Sequence, residues 1–138
     1  METMSPQGAL LTLCISRLPE QSLPRHAWAA EVLVEQLWAH SVGAGREDWR
    51  PLLAPMIDGS TADARLVRGE IWKLARCGAL EPAGIGSMAR FTVTPQAVEE
   101  SKSVVPINCI YDDVVTHAVD QLTARLFASS KYPSALPS

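Results

Sequence analysis

Five cations fall between Thr61 and Arg90, namely Arg65, Arg68, Lys73, Arg76 and Arg90, against three acids, Asp63, Glu70 and Glu81. The chemistry open to such a set is recognition of an anion. A guanidinium donates in a planar fork to phosphate oxygens or to a base edge, and an ammonium supplies a point charge. The rest of the chain pulls the other way: the 138 residues carry a formal net charge of −3, so a stretch at +2 leaves −5 elsewhere. Dedicated nucleic-acid modules are often basic over the whole domain, and here the positive charge is confined to one region.

Other residue types that support chemistry lack the company they would need. Asp113 and His117 are four apart and could give two metal ligands from one helix, but no third ligand of suitable spacing joins them, and a solvated polar face is the ordinary reading. His26 and His40 fall near the inner side of a helical stretch, where a hydrogen-bonded rim histidine is expected. Cys14, Cys77 and Cys109 are far apart and odd in number, which suggests neither a disulfide framework nor a close-spaced zinc motif. Cys77 follows Arg76 at a helix C-terminus, where a thiolate is disfavoured. Gly84 and Gly86 lack the lysine and the strand-loop-helix setting of a phosphate loop. No enzyme, cofactor or metal is therefore expected.

The elements that must position the cations follow from capping and periodicity. Ser60 or Thr61 offers a capping hydroxyl, Asp63 adds favourable charge to the first turn, and Gly78 stops the pattern, so a helix is expected over 61–77. At the helical period Val67, Glu70, Ile71, Leu74 and Ala75 share one side. Arg65, Trp72, Lys73 and Arg76 lie opposite, with Arg68 at the flank. Ala79 to Glu81 reads as a short strand, Pro82 to Ser87 as a glycine-containing loop, and Ala89 to Val93 as a return strand with Phe91 and Val93 on one face. Thr94 and Pro95 then give a helix start.

The runs IWKLARCGAL (Ile71 to Leu80) and RFTVTPQA (Arg90 to Ala97) resemble the winged helix-turn-helix domains of bacterial transcription regulators, particularly the PadR and MarR groups. In those families a recognition helix ends at a glycine, a hydrophobic residue opens the wing, and an arginine-aromatic strand leads into a Thr-Pro helix start. The resemblance implies a mainly α fold with a small β-hairpin wing (α+β), and helical extensions at both ends. It also implies double-stranded DNA as partner, with Thr61, Arg65, Arg68, Trp72, Lys73, Arg76 and Arg90 at the interface and residues 79–93 as the wing. Trp72 is bulky for that face and has packing against the wing as its alternative.

Upstream, Ser22 and Pro24 open a helix to about Ser41, with Ala29, Leu33 and Leu37 as its inner stripe, and the glycines of Val42 to Arg46 end it. Trp28 and Trp38 point away from that stripe, so either terminal helices of the same chain or a protein partner must cover them. From Glu47 to Ile57, Trp49, Leu52, Leu53, Met56 and Ile57 recur at helical spacing, with Pro55 limiting the helix and Asp58-Gly59 making a turn. Near the C-terminus, after Asp112 as cap, Val115, Ala118, Val119, Leu122 and Leu126 form an apolar stripe, with Asp113, His117, Asp120 and Ala124 opposite. In the resembled families terminal helices build a dimer, which would set two recognition helices ~34 Å apart on DNA. The expectation is a homodimer through Val115, Val119, Leu122 and Leu126; the alternative is that this helix folds back on its own domain.

Composition, at 47% hydrophobic and 20% charged, is that of a soluble globular protein. The apolar run Ala9 to Ile15 is too short to span a bilayer and reads as a helix opened by Ser5 and Pro6 and ended by Pro19. One domain over 1–138 is expected, with a winged-helix core at 22–104, a packing or dimerisation helix at 105–128 and a flexible tail at 129–138, in the cytoplasm. Two function classes stand: a dimeric DNA-binding transcription regulator, and a winged-helix adaptor subunit that binds protein and not DNA.

Overall fold

Ser5 starts the first helix: its hydroxyl accepts from the Gly8 N–H at 3.1 Å, and Pro6 fills the first helical position, giving α1 (Pro6–Ser16). The computed structural model describes residues 4–25, 27–43, 50–59, 61–104 and 112–131. Every residue from Gly8 to Ile15 is buried, so α1 is a central element and not an extension. Its buried hydroxyl, on Thr12, donates to Gly8 O at 2.9 Å, which removes the penalty of an unmet polar group.

After a 3-10 turn at Pro19–Gln21 come β1 (Ser22–Pro24), α2 (Ala27–Gly43), α3 (Arg50–Leu53) and a second 3-10 turn, Ala54–Met56. A hairpin of β2 (Ile57–Asp58) and β3 (Thr61–Ala62) precedes α4 (Ala64–Arg76). The chain then runs through β4 (Leu80–Ala83), β5 (Arg90–Val93), α5 (Pro95–Val104) and α6 (Asp112–Lys131). The molecule is thus mostly helical, with a three-stranded antiparallel sheet of order β1-β5-β4 and a separate two-stranded hairpin.

Several expected boundaries move, each for a physical reason. Ser22 to Pro24 does not open a helix: Ser22 lies opposite Thr92 and Leu23 opposite Phe91, so the segment is a strand and α2 begins at Ala27. Pro24 and Pro82 sit on the two edge strands, where a missing N–H breaks no ladder. Pro82 and Ala83 therefore extend β4 and shorten the expected loop. Thr61 is not in the α4 helix. Asp63 is the cap, accepting from the N–H groups of Arg65 at 2.9 Å and Leu66 at 3.1 Å, while Thr61 pairs with Asp58 across the hairpin. The stop at Gly78 holds, with φ of 85° and the Ala79 N–H donating to Leu74 O at 2.9 Å. Thr94 caps α5 as expected, its hydroxyl accepting from Ala97 N–H at 3.3 Å.

The stripe on α2 extends beyond Ala29, Leu33 and Leu37, because Val32 and Val34 are buried as well. What covers the far side is α6, which among the described elements makes the most extensive packing with α2. Val115, Ala118, Val119 and Leu122 are buried within the chain's own core, and Leu126 packs half-buried against it. The apolar demand of the C-terminal stripe is met intramolecularly, so the stripe expected to form a dimer interface is not left open for one. Trp38 is likewise half-buried against the core. His26, Trp49, Ser60, Cys109, residues 44–49 and the tail beyond Lys131 lie outside the described residues, as do the side chains of Trp28, Asp112 and Asp113.

Candidate nucleic-acid interface

The placing of the cations begins with what α4 buries. Val67, Glu70, Ile71 and Leu74 are inside, as their spacing predicts, and α4 packs on both α1 and α2. Glu70 is the polar member of that face. Its carboxylate accepts from the Ser5 hydroxyl at 3.4 Å, Gln7 Nε2 at 3.3 Å and Lys73 Nζ at 3.4 Å, so one buried anion ties α4 to the start of α1. This fixes the rotation of α4 about its axis and hence the direction of its outer face.

That outer face carries Arg65, Arg68, Trp72, Lys73 and Arg76, all exposed. Arg65, Arg68 and Arg76 have no acidic partner among the described residues, whereas the ammonium of Lys73 is shared with Glu70. Lys73 therefore contributes less net field than its position suggests. Gly69 lies among them, and a mid-helix glycine costs about 1 kcal/mol relative to alanine. Thr61 stands apart on β3, its hydroxyl donating to Asp58 O at 3.2 Å, and does not join the first turn of α4.

Trp72 keeps 42% exposure, and its ring meets Phe91 of β5 edge-on, with centroids 5.4 Å apart. Here the alternative of packing toward the hairpin holds. The pair also carries a cation that sequence reasoning missed. The Arg25 guanidinium lies 5.5 Å from the Trp72 centroid and 5.0 Å from that of Phe91. Arg25 follows β1 directly, and its N–H donates to Ala89 O at 3.0 Å, extending the β1 to β5 ladder by one bond. Cation-to-ring attraction of this kind adds roughly 0.5–1 kcal/mol at an exposed site and holds the charge in place. Arg90, half-buried, sits opposite Pro24 on one side and Ala83 on the other. A cleft of about 310 Å³ opens between β1, α2, α4 and β5, lined by Arg25, Glu31, Arg68 and Trp72 together with the apolar Leu23, Val67 and Ile71.

The β4–β5 hairpin ends in an uncharged tip. Gly84, at φ 74°, turns the chain so tightly that a Cβ there would collide with the Met88 carbonyl. Ile85 and Met88 are 87% and 66% exposed. Arg90 is the cation of the hairpin, so a charged contact to an anion there falls to it.

The remaining candidates give no second centre. His117 faces α2, not open solvent: its ring stacks on that of His40 at 4.4 Å and 16°. Among the described residues no three His, Cys, Asp or Glu side chains gather to hold a metal ion. Cys77 is half-buried, and its thiol donates to Leu74 O at 3.4 Å. Burial pushes the Cys14 thiol up to about 12, against a smaller opposing effect of Arg17, so it is an inert core residue. No described helix is long and apolar enough to cross a membrane.

The chain matches no protein-family model, no curated protein and no solved structure.

Proposed function

We propose that the chain is a winged helix-turn-helix module that binds double-stranded DNA and serves transcription regulation, with α4 as recognition helix and the β4–β5 hairpin as wing. The observation that carries this reading is the gathering, on the solvent face of α4, of arginines with no acidic partner among the described residues. The opposite face of that helix is locked to α1 through Glu70. The order of elements supports it too, since β1 enters the sheet between α1 and α2, and the hairpin follows α4 directly. In this reading Arg65, Arg68 and Arg76 meet phosphates or base edges in the major groove. Arg25 and Arg90 flank them on the backbone, and Trp72 holds Arg25 in register.

A second reading, an adaptor that binds protein through the same scaffold, is favoured by the exposed Ile85 and Met88 at the hairpin tip and by the acidic total. Trp38 no longer supports it, because that ring packs on the core.

Fluorescence anisotropy of a labelled mixed-sequence duplex, titrated at several salt concentrations, separates the two. Wild type should bind with an affinity that falls with salt. The double variant Arg65→Ala/Arg68→Ala should stay folded, bind more weakly, and lose about 0.9 of log-log salt slope for each phosphate contact removed. Wild type showing no salt-sensitive binding at low salt would hand the case to the adaptor.

A further inference from the structure

Gly69 stands at the middle of α4 and at the centre of its solvent face. Arg65 lies one turn before it, Trp72 and Lys73 one turn after, and Arg76 two turns after. A glycine here weakens the helix, and nothing among the described residues asks for one. Its φ is not in the left-handed region, where glycine would be required. A Cβ built on it meets no heavy atom within 4 Å, so no neighbouring element needs the space. Gly8 on α1 is the contrast: a Cβ there would come within 3.0 Å of both Leu74 and Ser5, so its smallness serves the packing of α1 on α4. The gap at Gly69 opens outward, and the helical positions of Arg65, Trp72, Lys73 and Arg76 surround it.

We propose that Gly69 is the point of closest approach between α4 and DNA, where the missing side chain lets base edges come against the helix backbone. This rests on the DNA-binding reading above. The cationic frame favours a polyanion over a protein surface. Arg65 and Arg76 are separated along the axis by roughly 16 Å at 1.5 Å per residue, so with α4 laid along the ~12 Å wide major groove both long side chains can reach phosphates at its walls. Gly69 then lies between them and faces the groove floor. A side chain at Gly69 would hold the helix away from the base edges while the long, flexible arginine side chains keep their phosphates.

The test is Gly69→Ala and Gly69→Leu in the full chain, with thermal unfolding measured beside anisotropy on the same duplex. The alanine variant should melt about 3 °C higher, because the helix gains propensity and nothing clashes. DNA affinity should fall about tenfold for Ala and about a hundredfold for Leu, comparable to the loss from one or two mismatched base pairs. The salt slope should stay unchanged, since no charge is removed. Wild-type affinity in both variants, alongside weakened binding by Arg65→Ala/Arg68→Ala, would overturn this inference and leave the DNA reading intact. A lower melting temperature for Gly69→Ala would overturn it as well, by showing that the fold itself uses the gap. A wild type without salt-sensitive binding would remove both.

Discussion

Asp63 decides where the cationic helix starts, and it does so against two competitors within three residues. Ser60, Thr61 and Asp63 are all good capping types, and sequence order alone favours the first one met. Thr61 is withdrawn from the contest by its pairing with Asp58, which holds it extended, and Asp63 takes two N–H groups instead. Replacing Asp63 with Ala should cost about 1 kcal/mol in urea unfolding, and Thr61→Ala less than about 0.5 kcal/mol. The reverse order would mean that the helix begins a half-turn earlier than Ala64. Arg25 shows the limit of reading at this scale. Its role depends on Trp72 and Phe91, which are distant in sequence and brought beneath it only when β1 pairs with β5, so no local pattern announces it.

At the scale of elements, what could be read was whatever carries its own periodicity or its own cap. The two faces of α4, the glycine stop, the two strands after it and the Thr-Pro start of α5 are local signals, and each has its place in the structure. The start of α1 at Ser5 and Pro6 belongs with them. The strands β1, β2 and β3 are two or three residues long, too short for an alternating pattern, and exist because partners elsewhere accept their hydrogen bonds. Ser22 and Pro24 look like a helix start in isolation, and the sheet overrides that preference. The contact between α1 and α4 belongs to this class of non-local facts and can be tested. Gly8→Ala places a methyl against Leu74 and the Ser5 hydroxyl that caps α1, so it should destabilise by about 1 kcal/mol despite the better helix propensity of alanine. Gly69→Ala should move stability the other way. A stabilised Gly8→Ala in urea unfolding would show that Leu74 yields easily, and that the two helices are less tightly joined than Glu70 and Gly8 imply.

For the whole molecule, the fate of the C-terminal helix separates what a stripe says from what covers it. Val115, Ala118, Val119 and Leu122 announce an amphipathic helix, but the pattern is silent on whether the covering surface belongs to this chain or to a second copy. The answer lies in α2, whose buried side includes Val34 as well as the Ala29 stripe and which needs α6 to close it. Any twofold assembly on DNA would then have to use a different surface from Leu122. Leu122 is fully buried, so Leu122→Asp inserts a charge into the core and should cost roughly 4 kcal/mol or more. Against a total stability of about 5–15 kcal/mol that is enough to blur or abolish cooperative unfolding. Leu126→Asp, at a half-buried position, should be milder and leave a folded protein. Circular dichroism and sedimentation together decide the point. An unfolded or molten Leu122→Asp is the outcome that an intramolecular α2–α6 contact demands. A well-folded Leu122→Asp monomer obtained from a dimeric wild type would instead place the stripe between two copies of the chain.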